Sequence, residues 1–328
     1  MTPTTPSPAP SPAAPAAKPA MSNMWQRILS GVVGAVLLLG SIWYSGWTFA
    51  LLFGLIQALM LREFYRMMKA IGYKPAAFIG IGASLLIFTT AYALAVGISS
   101  GHARVLIPGF DAALGRALHN NAERYAVTLL PLLSRVTVGL LLVLPIILLL
   151  REMYWWARAK RPFSPLPNVG VALLGLFYVT LPMSGLIVLA FTDDGYDYRR
   201  IFGLLFMVWA ADTGAYIAGK NFGRHKLAPS ISPGKTWEGW VGGCLLTLAV
   251  GWALGYLIPE LPLAHRLVAA VVVAVFGVLG DLAESMLKRS VDMKDSGRIM
   301  PGHGGLLDRF DAFLFVVPVL VVLQLLFA

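Results

Sequence analysis

Between Ser285 and Asp311 the chain reads SMLKRSVDMKDSGRIMPGHGGLLDRFD, with five basic residues (Lys288, Arg289, Lys294, Arg298, Arg309) and four acidic ones (Asp292, Asp295, Asp308, Asp311) set between two apolar runs. Asp281 and Glu284 stand just upstream. If the apolar run Leu267 to Leu282 continues as helix, Asp281, Glu284, Ser285 and Lys288 fall at i, i+3, i+4 and i+7. Two carboxylates, a hydroxyl and an ammonium then share one face. Carboxylates at the mouth of an apolar segment are costly unless they meet partners or an aqueous cavity. The Pro301-Gly302-His303-Gly304-Gly305 run lets the backbone fold closely against a ligand. A solvated, charge-balanced loop is the plainer reading; paired acids beside basic residues are the composition of a metal-bridged phosphate site.

A second constellation, WAADTGAYIAGKNFGRHKLAPSISPGKTWEG, runs from Trp209 to Gly239. Asp212, Tyr216 and Lys220 are four apart and share a helix face, the acid deepest and the base at the surface. An ionisable residue inside a membrane helix is a functional candidate, although Asp212 and Lys220 could instead only hold helices together. Ser232-Pro233-Gly234-Lys235-Thr236 invites comparison with a P-loop. The comparison fails, because Pro229 stands where the first glycine belongs and an apolar helix, not a strand, precedes it. Phosphate can still be held more simply. Thr236 is suited to cap the following helix, whose N-terminus with Lys226 and Lys235 nearby attracts phosphate oxygens. Trp237 either packs on a base or anchors at the membrane surface.

Together the two stretches resemble the CDP-diacylglycerol synthase family, the phosphatidate cytidylyltransferases. Ser285, Leu287, Lys288-Arg289, Lys294-Asp295, Gly297, Met300-Pro301, His303-Gly304-Gly305, Leu306, Asp308-Arg309, Phe310 and Asp311 fill its signature at matching spacing, Met300 being a mild departure. Residues 201–311 carry the resemblance; the earlier chain agrees as a hydrophobic multispan region. It implies transfer of a cytidylyl group from CTP to phosphatidic acid, releasing pyrophosphate, with Mg2+ and a second cation. On that reading Asp281 and Asp308 are the main metal ligands, assisted by Ser285 and Asp311, since magnesium takes a few carboxylates plus water and phosphate oxygens. Lys288, Arg289 and Lys294 neutralise phosphates. Asp212, Lys220, Lys226, Lys235, Glu238 and Arg309 complete a polar wall, and His303 either meets substrate or fixes the glycine turn. Another membrane transferase or lipid kinase, and a secondary transporter with Asp212 as its ion site, stay open; charge gathered at one face rather than the midplane speaks against the transporter.

These residues need membrane helices to position them. Of 328 residues 58% are hydrophobic and 13% charged, and the mean hydropathy is +0.73. That makes an integral, all-α, multi-pass membrane protein, in the inner membrane if the source is bacterial. The lone cysteine, Cys244, lies in an apolar run and excludes an intrachain disulfide. The net charge of +10 is spread over short loops beside apolar segments, which argues against nucleic acid as a partner.

Residues 1–23 form a Pro- and Ala-rich tail expected to be disordered and unlike a signal peptide. Residues 24–200 are expected to supply the first membrane helices and 201–328 the catalytic region. Nine candidate spans follow the tail: Ile28 to Tyr44, Trp47 to Leu61, Ala76 to Ile98, Val127 to Leu150, Val169 to Phe191, Ile201 to Gly219, Gly239 to Ile258, Leu267 to Leu282 and Ala312 to Ala328. The first two could also be a short hairpin, or one span and a re-entrant piece. With the N-terminus cytoplasmic, 19 Lys and Arg lie on the inner side against 6 outside. This bias puts both charged stretches where CTP arrives from the cytoplasm and phosphatidic acid from the bilayer, and a homodimer is compatible with it. The Arg62-Glu63-Phe64-Tyr65-Arg66 cluster reads as a membrane-surface anchor. His102 and His119, in the longest outer loop, read as surface residues.

Overall fold

A computed structural model of the chain describes residues 23–99, 121–158, 164–297, 299 and 304–327. The N-terminal tail, His102, His119 and His303 lie outside the described residues. In lipid every backbone N–H and C=O must be satisfied within its own segment, so apolar runs of this length become helices. They do so here as α1 (Asn23–Tyr44), α2 (Gly46–Ala70), α3 (Ala77–Ser99), α4 (Asn121–Trp156), α5 (Leu166–Gly175), α6 (Leu181–Ala190), α7 (Tyr198–Phe222), α8 (Trp237–Ala253), α9 (Leu263–Ser290) and α10 (Leu307–Phe327). A π-helical turn, Leu176–Thr180, joins α5 to α6, so the three pieces make one span. Among the described residues eight segments are long and apolar enough to cross a membrane, and α1 contributes a shorter apolar stretch, Gly31–Tyr44. Every expected span is thus a helix, though the first is not of full membrane length among the described residues. Two short antiparallel hairpins interrupt the helices. β1 (Phe191–Thr192) pairs with β2 (Gly195–Tyr196), and β3 (Lys226–Ala228) with β4 (Ser232–Thr236).

The junction of α1 and α2 is a single residue, Ser45, which caps α2 by accepting from Thr48 N–H while Thr48 reaches back. α2 runs on past Leu61 for nine residues, and it is the inner helix of the N-terminal half. Phe49, Phe53, Met60, Phe64 and Tyr65 are all buried. Of the Arg62–Arg66 cluster only the two arginines are exposed; Glu63, at 2% exposure, and Tyr65, at 1%, are buried inside the bundle. Tyr65 donates to Ala172 O at 2.8 Å, and Gly175 makes room for its ring, since a Cβ there would come within 2.7 Å of it. Gln57, Ser84 and Thr180 form a buried interhelical chain of hydrogen bonds, the polar glue of membrane packing.

In the C-terminal half small residues let backbones touch. A Cβ on Gly214 of α7 would stand 2.5 Å from Gly242 O of α8, and one on Gly243 2.8 Å from Ala211 O. Without a hydrophobic drive between helices in lipid, such close backbone packing supplies the association energy. The same device joins α9 to α10, where a Cβ on Gly280 would meet Asp311 O at 2.5 Å. These approaches place Asp212, Lys235, Asp281 and Asp311 at one end of the bundle. Lys74, Arg151 and Asn168 meet in a neighbouring loop cluster.

Candidate active site

Two charged clusters follow one another along the last turns of α9, one meeting β4 and the other meeting Asp308. In the first Asp281 meets Lys235 of β4, Nζ to Oδ2 at 2.5 Å, and accepts from Ser285 Oγ at 3.2 Å. Asp311, at the start of α10, lies in the electrostatic field of Asp281, Asp212 and Lys235. Arg309 acts on Asp212 in the same way. Of these groups Asp212 and Lys235 line a cavity of about 370 Å3, whose wall also includes Tyr216, Lys220, Thr236 and Trp240. Thr236 caps α8 as its sequence position foretells, accepting from Gly239 N–H at 3.2 Å. The positive end of that helix therefore opens beside the cavity.

In the second Lys288 is the pivot. Its ammonium is ion-paired to Glu284 and, at 2.8 Å, to Asp308 Oδ1. Glu284 is fully buried and Lys288 and Asp308 side chains are 13% and 11% exposed. A carboxylate buried this deeply survives only with such a partner. Asp308 Oδ2 accepts from Ser296 N–H and Oγ, both at 3.0 Å, and from Gly305 N–H at 2.8 Å. Glu63 arrives from α2 to accept from Leu307 N–H at 2.9 Å and from Ser296 Oγ at 3.4 Å, satisfying an orphan donor of α10. The glycines are required here. Gly304 has φ +85°, and a Cβ on Gly305 would strike Ser296 Oγ and come within 2.7 Å of the Glu63 carboxylate.

The structure therefore lines one cavity with Asp212, Lys220 and Lys235, brings Asp281 with Ser285 to it through Lys235, and joins Lys288 to Asp308 two turns further along α9. Among the described residues no hydrogen bond or ion pair links Asp281 directly to Asp308. Lys226, in β3, is exposed next to the cavity residue Leu227, Arg289 is exposed in the last turn of α9, and Lys294 is exposed beyond its end. Glu238 turns away: it accepts from Arg224 N–H at 3.1 Å and His225 N–H at 3.2 Å and meets His225 Nδ1 at 2.5 Å, tying the β3 side to the start of α8. Trp237 is half exposed and packs edge-on against Trp240 at 5.6 Å. Trp240 is the cavity residue, held by Nε1 donating to Ala274 O at 2.9 Å.

Three further residues escaped the sequence reading. Glu63 was hidden by its aromatic, mixed-charge surroundings, although a carboxylate about two turns inside the end of a continuing helix was the available signal. Trp240 is one turn beyond Trp237 and gives no local sign of its inward direction. Tyr178, in the π-helical turn, brings a buried hydroxyl with no partner among the described residues close to Glu284 and Asp311. Irregular helical turns of this kind recur at functional sites.

For a divalent cation the donor chemistry fits. Asp281, Asp311, Ser285 and the Oδ1 side of Asp308 are hard oxygen donors. Among the described residues no three His, Cys, Asp or Glu side chains already form a closed ligand set. A magnesium ion there would need water and substrate phosphates to complete its shell.

A helical multi-pass membrane protein with a carboxylate- and lysine-lined cavity at one end of its bundle is the class this fold and site define. The profile of the cytidylyltransferase family matches residues 25–327, and the chain belongs to that family. It is 34% identical over 310 residues to the phosphatidate cytidylyltransferase of Bacillus subtilis (strain 168), covering 94% of this chain and all of that one. With the phosphatidate cytidylyltransferase of Staphylococcus haemolyticus (strain JCSC1435) identity is 48% over 132 residues, 40% of this chain and 50% of the relative. The protein is a membrane nucleotidyltransferase.

Proposed function

We propose that the cavity receives CTP from the cytoplasm and phosphatidic acid from the adjoining leaflet, and that the chain makes CDP-diacylglycerol and pyrophosphate. A phosphate oxygen of phosphatidic acid forms a bond to the α-phosphorus of CTP, and the bond from that phosphorus to the bridging oxygen of pyrophosphate breaks. The nucleophile is already ionised near neutral pH, so no general base is needed. The difficulty is repulsion between two anions, which positive charge must offset.

Lys220, Lys226 and Lys235, with the N-terminus of α8, are the groups suited to the triphosphate. Trp240 offers an aromatic wall for the base. Arg289, Lys294 and Arg309 line the approach for the lipid phosphate, which arrives beside the apolar faces of α9 and α10. Two cations, Mg2+ and a second, would be held by Asp281, Asp308, Ser285 and Asp311. Bound there, they would neutralise phosphate oxygens of both substrates. Lys288 acts through Asp308, holding that carboxylate and the loop behind it in place.

The observation that supports this most is the Lys235–Asp281 ion pair, because it unites the phosphate-suited loop and the carboxylate helix at one cavity. The 19 to 6 bias of basic residues supports the cytoplasmic orientation. The test is pyrophosphate release by purified protein given CTP. Release should require both phosphatidic acid and Mg2+, and ATP or sugar nucleotides should not replace CTP. Release without phosphatidic acid would overturn the assignment.

A further inference from the structure

At the opposite end of the bundle lies a larger, apolar cavity of about 500 Å3, bounded by the first turns of α7 and α9 and the last turns of α10. Leu204, Met207, Leu320 and Leu323 form its walls, while Arg200, His265 and Arg266 stand at its rim. It is remote from the site described above. Arg200 precedes Asp212 by twelve residues on α7, and Arg266 precedes Asp281 by fifteen on α9, so about 18–22 Å of helix separates them.

The rim charges are not internally neutralised. The nearby acids Asp197 and Glu260 are both ion-paired to Arg199. No ion pair reaches Arg200 or Arg266 among the described residues, and the Nε of each is buried without a partner. Arg266 is held in place through Nη1, which donates to Trp252 O at 3.0 Å near the negative end of α8. Two oriented guanidiniums with unspent donors, above a greasy slot at bilayer depth, are complementary to an anionic head on an acyl chain.

We propose that this cavity binds an anionic phospholipid of the leaflet facing away from the active site. The phosphate meets Arg200 and Arg266, and one acyl chain runs between α7 and α10. Phosphatidylglycerol is a suitable probe, because its phosphate is a diester and lacks the free terminal phosphate needed to attack CTP. This proposal does not depend on the reaction assigned above.

The test uses the full chain in phosphatidylcholine liposomes with a phosphatidylglycerol carrying a photoactivatable acyl chain, and maps the labelled peptides. Labelling is expected near 200–207 and 320–327, displaced by unlabelled phosphatidylglycerol and not by phosphatidylcholine. Arg200→Gln with Arg266→Gln should lower it about ten-fold or more, as loss of charge-assisted hydrogen bonds predicts. Ala264→Trp, which fills the rim and leaves both arginines, should lower it as well. Equal displacement by phosphatidylcholine, or labelling indifferent to both variants, would overturn the proposal; the competition on unaltered protein decides even if a variant fails to insert.

Discussion

The two charged clusters along α9 contain the same chemical alphabet and use it differently. In one, Asp212 and Lys235 border open volume, and Asp281 is paired to that lysine. In the other, Glu284, Lys288 and Asp308 are packed almost without solvent, and their oxygens are taken up by backbone and lysine. Residue type alone therefore does not separate groups that face open volume from groups that are packed away. Free capacity beside a cavity does.

The comparison can be broken by substitutions that keep shape. Asp281→Asn should lower the rate of pyrophosphate release by about a thousand-fold or more, in line with removing a charge that acts on the transition state. Its melting temperature in detergent should stay near that of the parent. A large fall in melting temperature with retained turnover would exchange the roles of the two clusters. Lys288→Met should do the reverse to stability, costing about 3–5 kcal/mol by leaving Glu284 buried and unpaired. Adding Glu284→Gln should restore most of it, as denaturant unfolding of the single and double variants would show.

Smaller effects sharpen the contrast. Lys235→Ala should raise the KM for CTP by about ten-fold, the value of one charge-assisted contact, with little change in melting temperature. Glu63→Gln should cost about 1–2 kcal/mol, since a neutral amide caps α10 less well. Smallest is the tryptophan pair. Trp240→Ala should raise the KM for CTP by several-fold, roughly the worth of a stacked base, whereas Trp237→Ala should leave it within about two-fold.

Much of this was legible in the chain. Period and length sufficed for the helices, because in lipid an apolar run has few alternatives. The i, i+3, i+4, i+7 spacing did bring Asp281, Glu284, Ser285 and Lys288 onto the end of α9, yet a helix face is broad. Whether Glu284 meets lysine in a dry interior or substrate in a cavity depends on α10 and α2, which local spacing does not contain. Glu63 is the clearest case. It stands 244 positions from Leu307, and only tertiary packing makes them neighbours. Glu238 failed for the converse reason: its acidic character was visible, but its direction was set by His225 and the hairpin before it.

That long-range cap has a consequence for biosynthesis. As the nascent chain enters the membrane, α2 is inserted early with a carboxylate whose partners do not yet exist, while the loop it shapes emerges with the last helix. The protein must carry Glu63 through assembly by other means, and an excised C-terminal half would lack the peg on which its own loop is hung.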